Sequence, residues 1–213
     1  MEKDVAELIY SQKKEYARGK RGLVSVSEYR GKKFVIKEKL LSSAGVGTIK
    51  NEFLYNKKVN EFGIGPRIFY YDEEKDFLIR EFVDGVKIEE WVADKRNSSF
   101  FKTEFKEILL SILNQARLLD LNGINKYELT NPHKDILITN KGPVIIDFER
   151  CRHTNKPKNV TQFLQYLTRP VMSGFLDEAS IVFKKETAVL LGEEYKKDLS
   201  GEVYEKIKKV IKN

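Results

Sequence analysis

Three short stretches of the chain place carboxylates where a backbone would hold them still. Lys126-Tyr127-Glu128-Leu129 is followed by Asp135-Ile136-Leu137-Ile138 and then by Val144-Ile145-Ile146-Asp147-Phe148-Glu149. Acidic side chains thus fall at the ends of two short apolar runs joined by the turn Asn140-Lys141-Gly142-Pro143. Carboxylates fixed in this way suit a divalent cation and a proton acceptor, which are the needs of phosphoryl transfer from a nucleoside triphosphate. Phosphates also need a cation with an anchor. Lys37, closing the apolar run Phe34-Val35-Ile36, and Glu52, on the helix that follows, are spaced to supply that ion pair.

Two further motifs bear on the same chemistry. Gly19-Lys20-Arg21-Gly22 sets two glycines around two bases, so it could cover phosphates with backbone N–H groups; a plain basic turn reads the same way. His133-Lys134-Asp135 with Asn140 formally satisfies H-x-D-x-x-x-x-N, a protein-kinase signature. That register would put a metal ligand in the turn at Asn140 and convert the strand Ile136-Leu137-Ile138 into loop. The register that keeps the strands is therefore preferred.

The elements that must carry these residues follow from periodicity. Val5, Leu8, Ile9 and Tyr16 lie near helical spacing. Leu23–Tyr29 alternates, Arg30-Gly31-Lys32-Lys33 is a turn, and Phe34–Lys37 is its partner strand. After the loop Ser42–Gly47 a helix is expected over Thr48–Phe62, burying Ile49, Phe53 and Leu54 and ending at Gly63-Ile64-Gly65-Pro66. Strands at Arg67–Tyr71 and Phe77–Phe82 flank the acidic turn Asp72–Asp76. From Asp84-Gly85 the texture turns helical, with Ile88–Ala93 and a longer Thr103–Leu121. In the latter, Phe105, Ile108, Leu109, Ile112, Leu113, Ala116 and Leu119 form an apolar stripe, capped by Gly123. Beyond Pro157 the chain is helical to the basic segment Glu202–Lys212.

Composition narrows the classes. No apolar run approaches the roughly 20 residues of a bilayer helix, no signal peptide is visible, and a cytoplasmic location with no membrane partner is expected. The single cysteine, Cys151, and the two histidines, His133 and His153, argue against disulfide and zinc chemistry. Charged residues reach 33%, rich in Lys and Glu as in many high-temperature proteins, so a thermophilic source is expected. The net charge of +7 draws polyanions such as nucleic acid, or serves only to keep a Lys-rich surface soluble.

The ordered set Lys37, Glu52, Gly63, Pro66 and the connector Ile79-Arg80-Glu81-Phe82-Val83-Asp84-Gly85 resembles the RIO-type atypical kinases and the small kinase of the tRNA threonylcarbamoylation complex, over roughly Gly19 to Phe148. The resemblance implies an α+β, two-lobed protein-kinase-like fold without an activation segment: a β-rich lobe with one main helix at 1–83 and a mostly helical lobe at 84–213, in a single catalytic domain and favoured as a monomer. It implies ATP and Mg²⁺ as cofactors. Lys37 and Glu52, with Gly19 and Gly22, would bind the nucleotide phosphates, and the backbone of Glu81 to Val83 would hold adenine. Lys126-Tyr127-Glu128-Leu129 falls on the family's His-Gly-Asp-Leu. Glu128 is thereby implied as the base, Asp135 and Asp147 as metal ligands and catalytic residues, and Lys126 and Lys134 as groups stabilising the transferred phosphoryl. Glutamate stands for the usual aspartate, Lys126 for histidine, and Asp147-Phe148-Glu149 lacks a final glycine.

No Ala-Pro-Glu segment follows Phe148. The run Arg150–Gln162 is instead basic and amide-rich, a composition suited to phosphate backbones. Together with Pro132-His133-Lys134 and Asn159-Val160-Thr161-Gln162, these motifs look like the archaeal family long labelled predicted Ser/Thr protein kinase. Its members act as RNA kinases that phosphorylate the 2′-hydroxyl of a variable-loop uridine in tRNA and so stabilise the tRNA at high temperature. The resemblance thus implies tRNA as partner, with basic groups at Arg18 to Arg21, Arg150 to Lys158 and the C-terminal lysines as candidate contacts. An atypical protein kinase of RIO type and a tRNA-binding pseudokinase are the alternatives.

Overall fold

The computed structural model describes residues 1–19, 22–40, 48–199 and 201–212. Within them the chain is α+β, with eight helices and a five-stranded antiparallel sheet. It divides into two compact units: Met1–Asp84 with Ile146–Cys151, and Gly85–Ile145 with Arg152–Asn213. Among the described residues, no helix is long and apolar enough to cross a membrane.

The first unit runs α1 (Lys3–Ser11), β1 (Lys14–Arg18), β2 (Gly22–Tyr29), β3 (Lys32–Lys39), α2 (Thr48–Asn60), β4 (Ile68–Asp72) and β5 (Phe77–Glu81). The strands lie in the order β1-β2-β3-β5-β4. Tyr29 pairs with Lys32 across a two-residue turn. Arg30 and Gly31 there both have positive φ, 50° and 71°, the handedness that matches strand twist. Register then assigns the faces. Lys37 lies opposite Val24 and Leu78, and Val35 opposite Arg80. Because strand residues alternate, Phe34, Ile36, Phe77 and Ile79 point the other way, where they cluster with Ala6 and Ile9 of α1. Val35, Lys37, Leu78 and Arg80 share the face toward α2. A one-residue slip would exchange the two sets.

Three sequence expectations fail here. Tyr16 is not helical but lies 69% exposed on β1, an edge strand exposed along its length; with neither side buried, no alternation marks it as a strand. Leu8 is 42% exposed, and Ala6 and Ile9 are the residues that bury α1. Leu54 is 53% exposed, and the buried stripe of α2 is Ile49, Glu52, Asn56 and Val59. Half of that stripe is polar because each polar member has a partner: Lys37 for Glu52, and for Asn56 the Pro66 carbonyl, 2.6 Å away. Lys20, Arg21 and the loop Ser42–Gly47 lie outside the described residues.

The second unit contains β6 (Val86–Lys87), α3 (Ile88–Lys95), α4 (Phe101–Leu121), β7 (Ile124–Asn125), β8 (Ile136–Thr139), β9 (Gly142–Ile145), β10 (Arg152–His153), α5 (Asn159–Leu167), α6 (Pro170–Glu178), α7 (Lys185–Lys197) and α8 (Gly201–Lys212). The stripe expected on α4 is its buried face, completed by Phe101 and Asp120. Gly123 closes the helix at φ +65°, and a Cβ there would come within 2.6 Å of the His153 ring, so only glycine fits. β8 and β9 form the expected hairpin, pairing Ile136 with Ile145 and Thr139 with Gly142. Asn140 lies in its turn and is exposed, so the H-x-D-x-x-x-x-N register would place its loop on a strand.

Candidate functional site

The centre of the first unit's site is a buried ion pair. Lys37 Nζ donates to both carboxylate oxygens of Glu52, at 2.8 and 2.7 Å, and lies 3.4 Å from Asp147 Oδ1. Glu52 is fully buried, and the Lys37 side chain is 12% exposed. Burial works to lower the lysine pKa, but the Glu52 and Asp147 carboxylates more than offset it and hold Lys37 above its usual value. The ammonium is therefore a fixed charge at neutral pH.

Asp147 arrives on the segment Ile146–Cys151, which returns to the first unit from the second. Asn51 of α2 secures this return, its Nδ2 donating to the carbonyls of Glu149 at 2.7 Å and Cys151 at 3.1 Å. Asp147 itself has φ +65°, a left-handed conformation that aspartate tolerates at a cost of about 1 kcal/mol. The conformation is kept where it aims the carboxylate at Lys37. Glu149 joins the group, since one ligating oxygen each from Glu52, Asp147 and Glu149 lie within 4.8 Å of one another. An all-oxygen donor set of this kind fits a hard cation such as Mg²⁺. Expectation paired Asp147 with Asp135; Asp135 belongs to the second unit, and the acidic companions of Asp147 within its own unit are Glu52 and Glu149.

A cavity of about 270 Å³ lies over these groups, bordered by Gly19, Gly22, Val24, Lys37, Glu52 and Asp147. Gly19 and Gly22 therefore border the cavity as expected, but the Gly19 N–H donates to the Gly22 carbonyl at 2.9 Å. That amide already has a backbone acceptor within the chain. Gly22 also passes close to β3, where a Cβ would lie 3.1 Å from the Glu38 carbonyl.

Arg80 is a functional candidate that sequence reasoning passed over. It is 6% exposed, on the same sheet face as Lys37, and Glu52 and Asp147 act on it electrostatically. Desolvation lowers its pKa and those carboxylates oppose the shift. Its Nη1 donates to the Glu81 carbonyl at 3.2 Å, and its Nε is buried with no hydrogen-bond partner among the described residues. The available signal was an arginine inside the apolar strand Phe77-Leu78-Ile79-Arg80, two residues from the partner of Lys37. Beyond it, the Glu81 N–H donates to the Arg67 carbonyl at 2.8 Å. Glu81 Oε2 accepts from the Arg67 N–H at 3.1 Å. Val83 is half-buried in the connector after β5, outside any helix or strand.

The second unit gathers the other predicted residues around Lys126. This lysine is 1% exposed; its Nζ donates to Asp135 Oδ2 at 2.9 Å and lies 4.0 Å from Glu128 Oε2. It is thus a bridge between two carboxylates, Asp135 at 14% and Glu128 at 32% side-chain exposure. Lys134 is exposed.

The loop that carries Glu128 is fastened by residues whose structural part the sequence did not reveal. Asn159 Oδ1 accepts from the Lys126 N–H at 2.8 Å, while its Nδ2 donates to Asp120 Oδ1 and to the Ile124 carbonyl at 2.7 and 2.6 Å. Asp120 accepts from the backbone N–H groups of Asn159 and Val160 at 2.8 and 3.0 Å. It therefore caps α5 from α4, an anion at a helix N-terminus. Burial raises the Asp120 pKa, and those hydrogen bonds oppose the shift. Asn159, Thr161 and Gln162, expected to face a phosphate backbone, are 0%, 4% and 8% exposed. They serve the interior, because α5 turns nearly its whole surface inward. The basic residues before them do reach solvent: Arg150, Arg152, Lys156 and Lys158 are exposed, and the Arg152 guanidinium stacks 4.2 Å from the Tyr127 ring centroid.

A scan against protein-family models and a search among curated proteins find no match to this chain.

Proposed function

We propose that this chain is an ATP-dependent RNA kinase of protein-kinase-like plan, which transfers the γ-phosphate of ATP to a ribose 2′-hydroxyl of tRNA. The observation that supports phosphotransfer most directly is Lys37, clamped by Glu52 and 3.4 Å from Asp147. A cation held at a set distance from a carboxylate can meet phosphate oxygens without losing its own position. Asp147 and Glu149 would hold Mg²⁺, whose chemistry is to neutralise charge on the phosphates, while Glu52, both of whose oxygens accept from Lys37, keeps the lysine in place. Glu128, partly exposed, is assigned to orient the hydroxyl and accept its proton as the new O–P bond forms and the bond to the ADP oxygen breaks. Lys126 keeps the neighbouring carboxylates fixed. The RNA substrate is supported by the motifs that resemble archaeal RNA kinases and by the net charge of +7.

One observation favours a second reading, a tRNA-binding pseudokinase: Asp135, expected to bind metal, already accepts from the Lys126 ammonium at 2.9 Å. Incubation with γ-labelled ATP and either tRNA or a protein mixture, followed by digestion, separates the readings. Label on a ribose supports the RNA kinase. Label confined to Ser or Thr refutes it in favour of a RIO-type protein kinase, and tRNA binding without transfer to any acceptor leaves the pseudokinase.

A further inference from the structure

The first unit has a second concavity, on the opposite sheet face from Lys37. It encloses about 710 Å³ and is lined by Phe34, Phe69 and Phe82 with Lys32, Lys33 and Arg67, a size in the range of ligand pockets, roughly 300–1,000 Å³. Phe34, 6% exposed, forms its floor and meets Phe69 edge-on at 5.4 Å. Phe69 and Phe82 are half-exposed, and each has a cation beside it. The Arg67 guanidinium lies 5.5 Å from the Phe69 centroid, and Lys33 Nζ lies 5.5 Å from that of Phe82. Tyr16, 69% exposed on β1, adds a ring edge-on to Phe82 at 6.4 Å. Two acids share the lining, Glu2 and Glu81, and Glu81 already accepts from the Arg67 N–H.

Exposed rings with cations beside them match the two repeating features of an unpaired nucleic-acid strand. Every base offers a flat face for stacking, and every nucleotide a phosphate. We propose that this groove binds an unpaired segment of RNA, one base stacking on Phe69 or Phe82 and the adjoining phosphates meeting Lys32, Lys33 and Arg67. The choice of RNA rests on the reading of the chain as an RNA kinase; the groove and its lining do not. Because the groove opens on the face away from Lys37, it holds RNA outside the phosphotransfer site and contributes to selecting the substrate.

The test uses a short fluorescein-labelled oligouridylate and the full chain, with affinity followed by anisotropy across a salt series. A triple variant, Lys32→Glu, Lys33→Glu and Arg67→Glu, changes exposed side chains only. Each phosphate neutralised on a single strand contributes about 0.7 to the slope of log K against log salt. The variant should therefore lose about 2 from that slope while binding a fluorescent ATP analogue as the parent does. In parallel, 4-thiouridine in the oligomer should cross-link to peptides containing Phe69 or Phe82. An unchanged slope, or cross-links confined to other peptides, overturns the proposal. A reduced slope with the expected cross-links, but no γ-phosphate ever found on RNA, leaves the groove standing and refutes the RNA-kinase reading. Ribose label with an unaltered slope does the reverse.

Discussion

Removing Glu52 should destabilise the protein more than removing Lys37, and the reason is Arg80. The buried set holds two cations, Lys37 and Arg80, against Glu52, which is fully buried, and Asp147, which is one-third exposed. Lys37→Met leaves Glu52 still near a guanidinium. Glu52→Leu leaves both cations facing an Asp147 that solvent partly screens. Gross attraction at 2.7 Å is about 6 kcal/mol at an effective dielectric of roughly 20, most of it offset by desolvation of both ions. Breaking a buried pair from one side costs about 3–5 kcal/mol. Glu52→Leu should therefore fall near the top of that range, and Lys37→Met at or below its lower end, about 2–3 kcal/mol. The double variant, Lys37→Met with Glu52→Leu, leaves Arg80 against Asp147 and should show a coupling of about 2 kcal/mol relative to the sum of the singles. Urea unfolding, read from midpoints at constant m-value, measures all three. Two results would refute the reasoning: additivity within about 0.5 kcal/mol, or Lys37→Met costing more than Glu52→Leu.

Three further outcomes are expected. Lys37 is held above 10.5 in the folded protein, so its contribution is fully present below the unfolded lysine value and is lost as pH rises through the folded one. The stability gap between the parent and Lys37→Met should accordingly stay constant from neutral pH to about pH 10 and narrow beyond it; pH-dependent denaturation provides the check. Asn159→Ala removes side-chain bonds to the Lys126 N–H, Asp120 and the Ile124 carbonyl. A loss of about 3 kcal/mol is expected, together with faster hydrogen exchange at the Lys126 amide. Glu128→Gln should lower turnover by about 10²–10⁴ with ATP affinity retained, and a variant of undiminished turnover would remove Glu128 as the base.

The Lys37–Glu52 pair was legible only because Glu52, Gly63, Pro66 and the connector Ile79-Arg80-Glu81-Phe82-Val83-Asp84-Gly85 follow Lys37 in order; a strand lysine or a helix glutamate alone is usually a solvated surface charge. The β8–β9 hairpin was legible because Asn140-Lys141-Gly142 punctuates two β-branched segments. The same logic hid Arg80, since a charged residue within a strand reads as solvent-facing until register sets it beside Val35 and the α2 face. Asp120 and Asn159 were beyond sequence reasoning for a different reason: a cap supplied by α4 to α5 joins residues far apart in the chain, and no local spacing encodes it. Leu54 misled because hydrophobicity alone orients a helix only when its interior positions are apolar, and on α2 two of them are Glu52 and Asn56.

The late return of Ile146–Cys151 to the first unit also bears on synthesis. A ribosome that has finished all five strands of the sheet has supplied the lysine and its glutamate clamp but neither Asp147 nor Glu149. The whole stretch Gly85–Ile145 must emerge before they do. Nascent chains and products truncated within that stretch therefore lack the complete charge set. The buried charge centre is complete only once translation has passed the Asn51-clasped segment, so its last carboxylates must find a lysine and glutamate already in place on the sheet and α2.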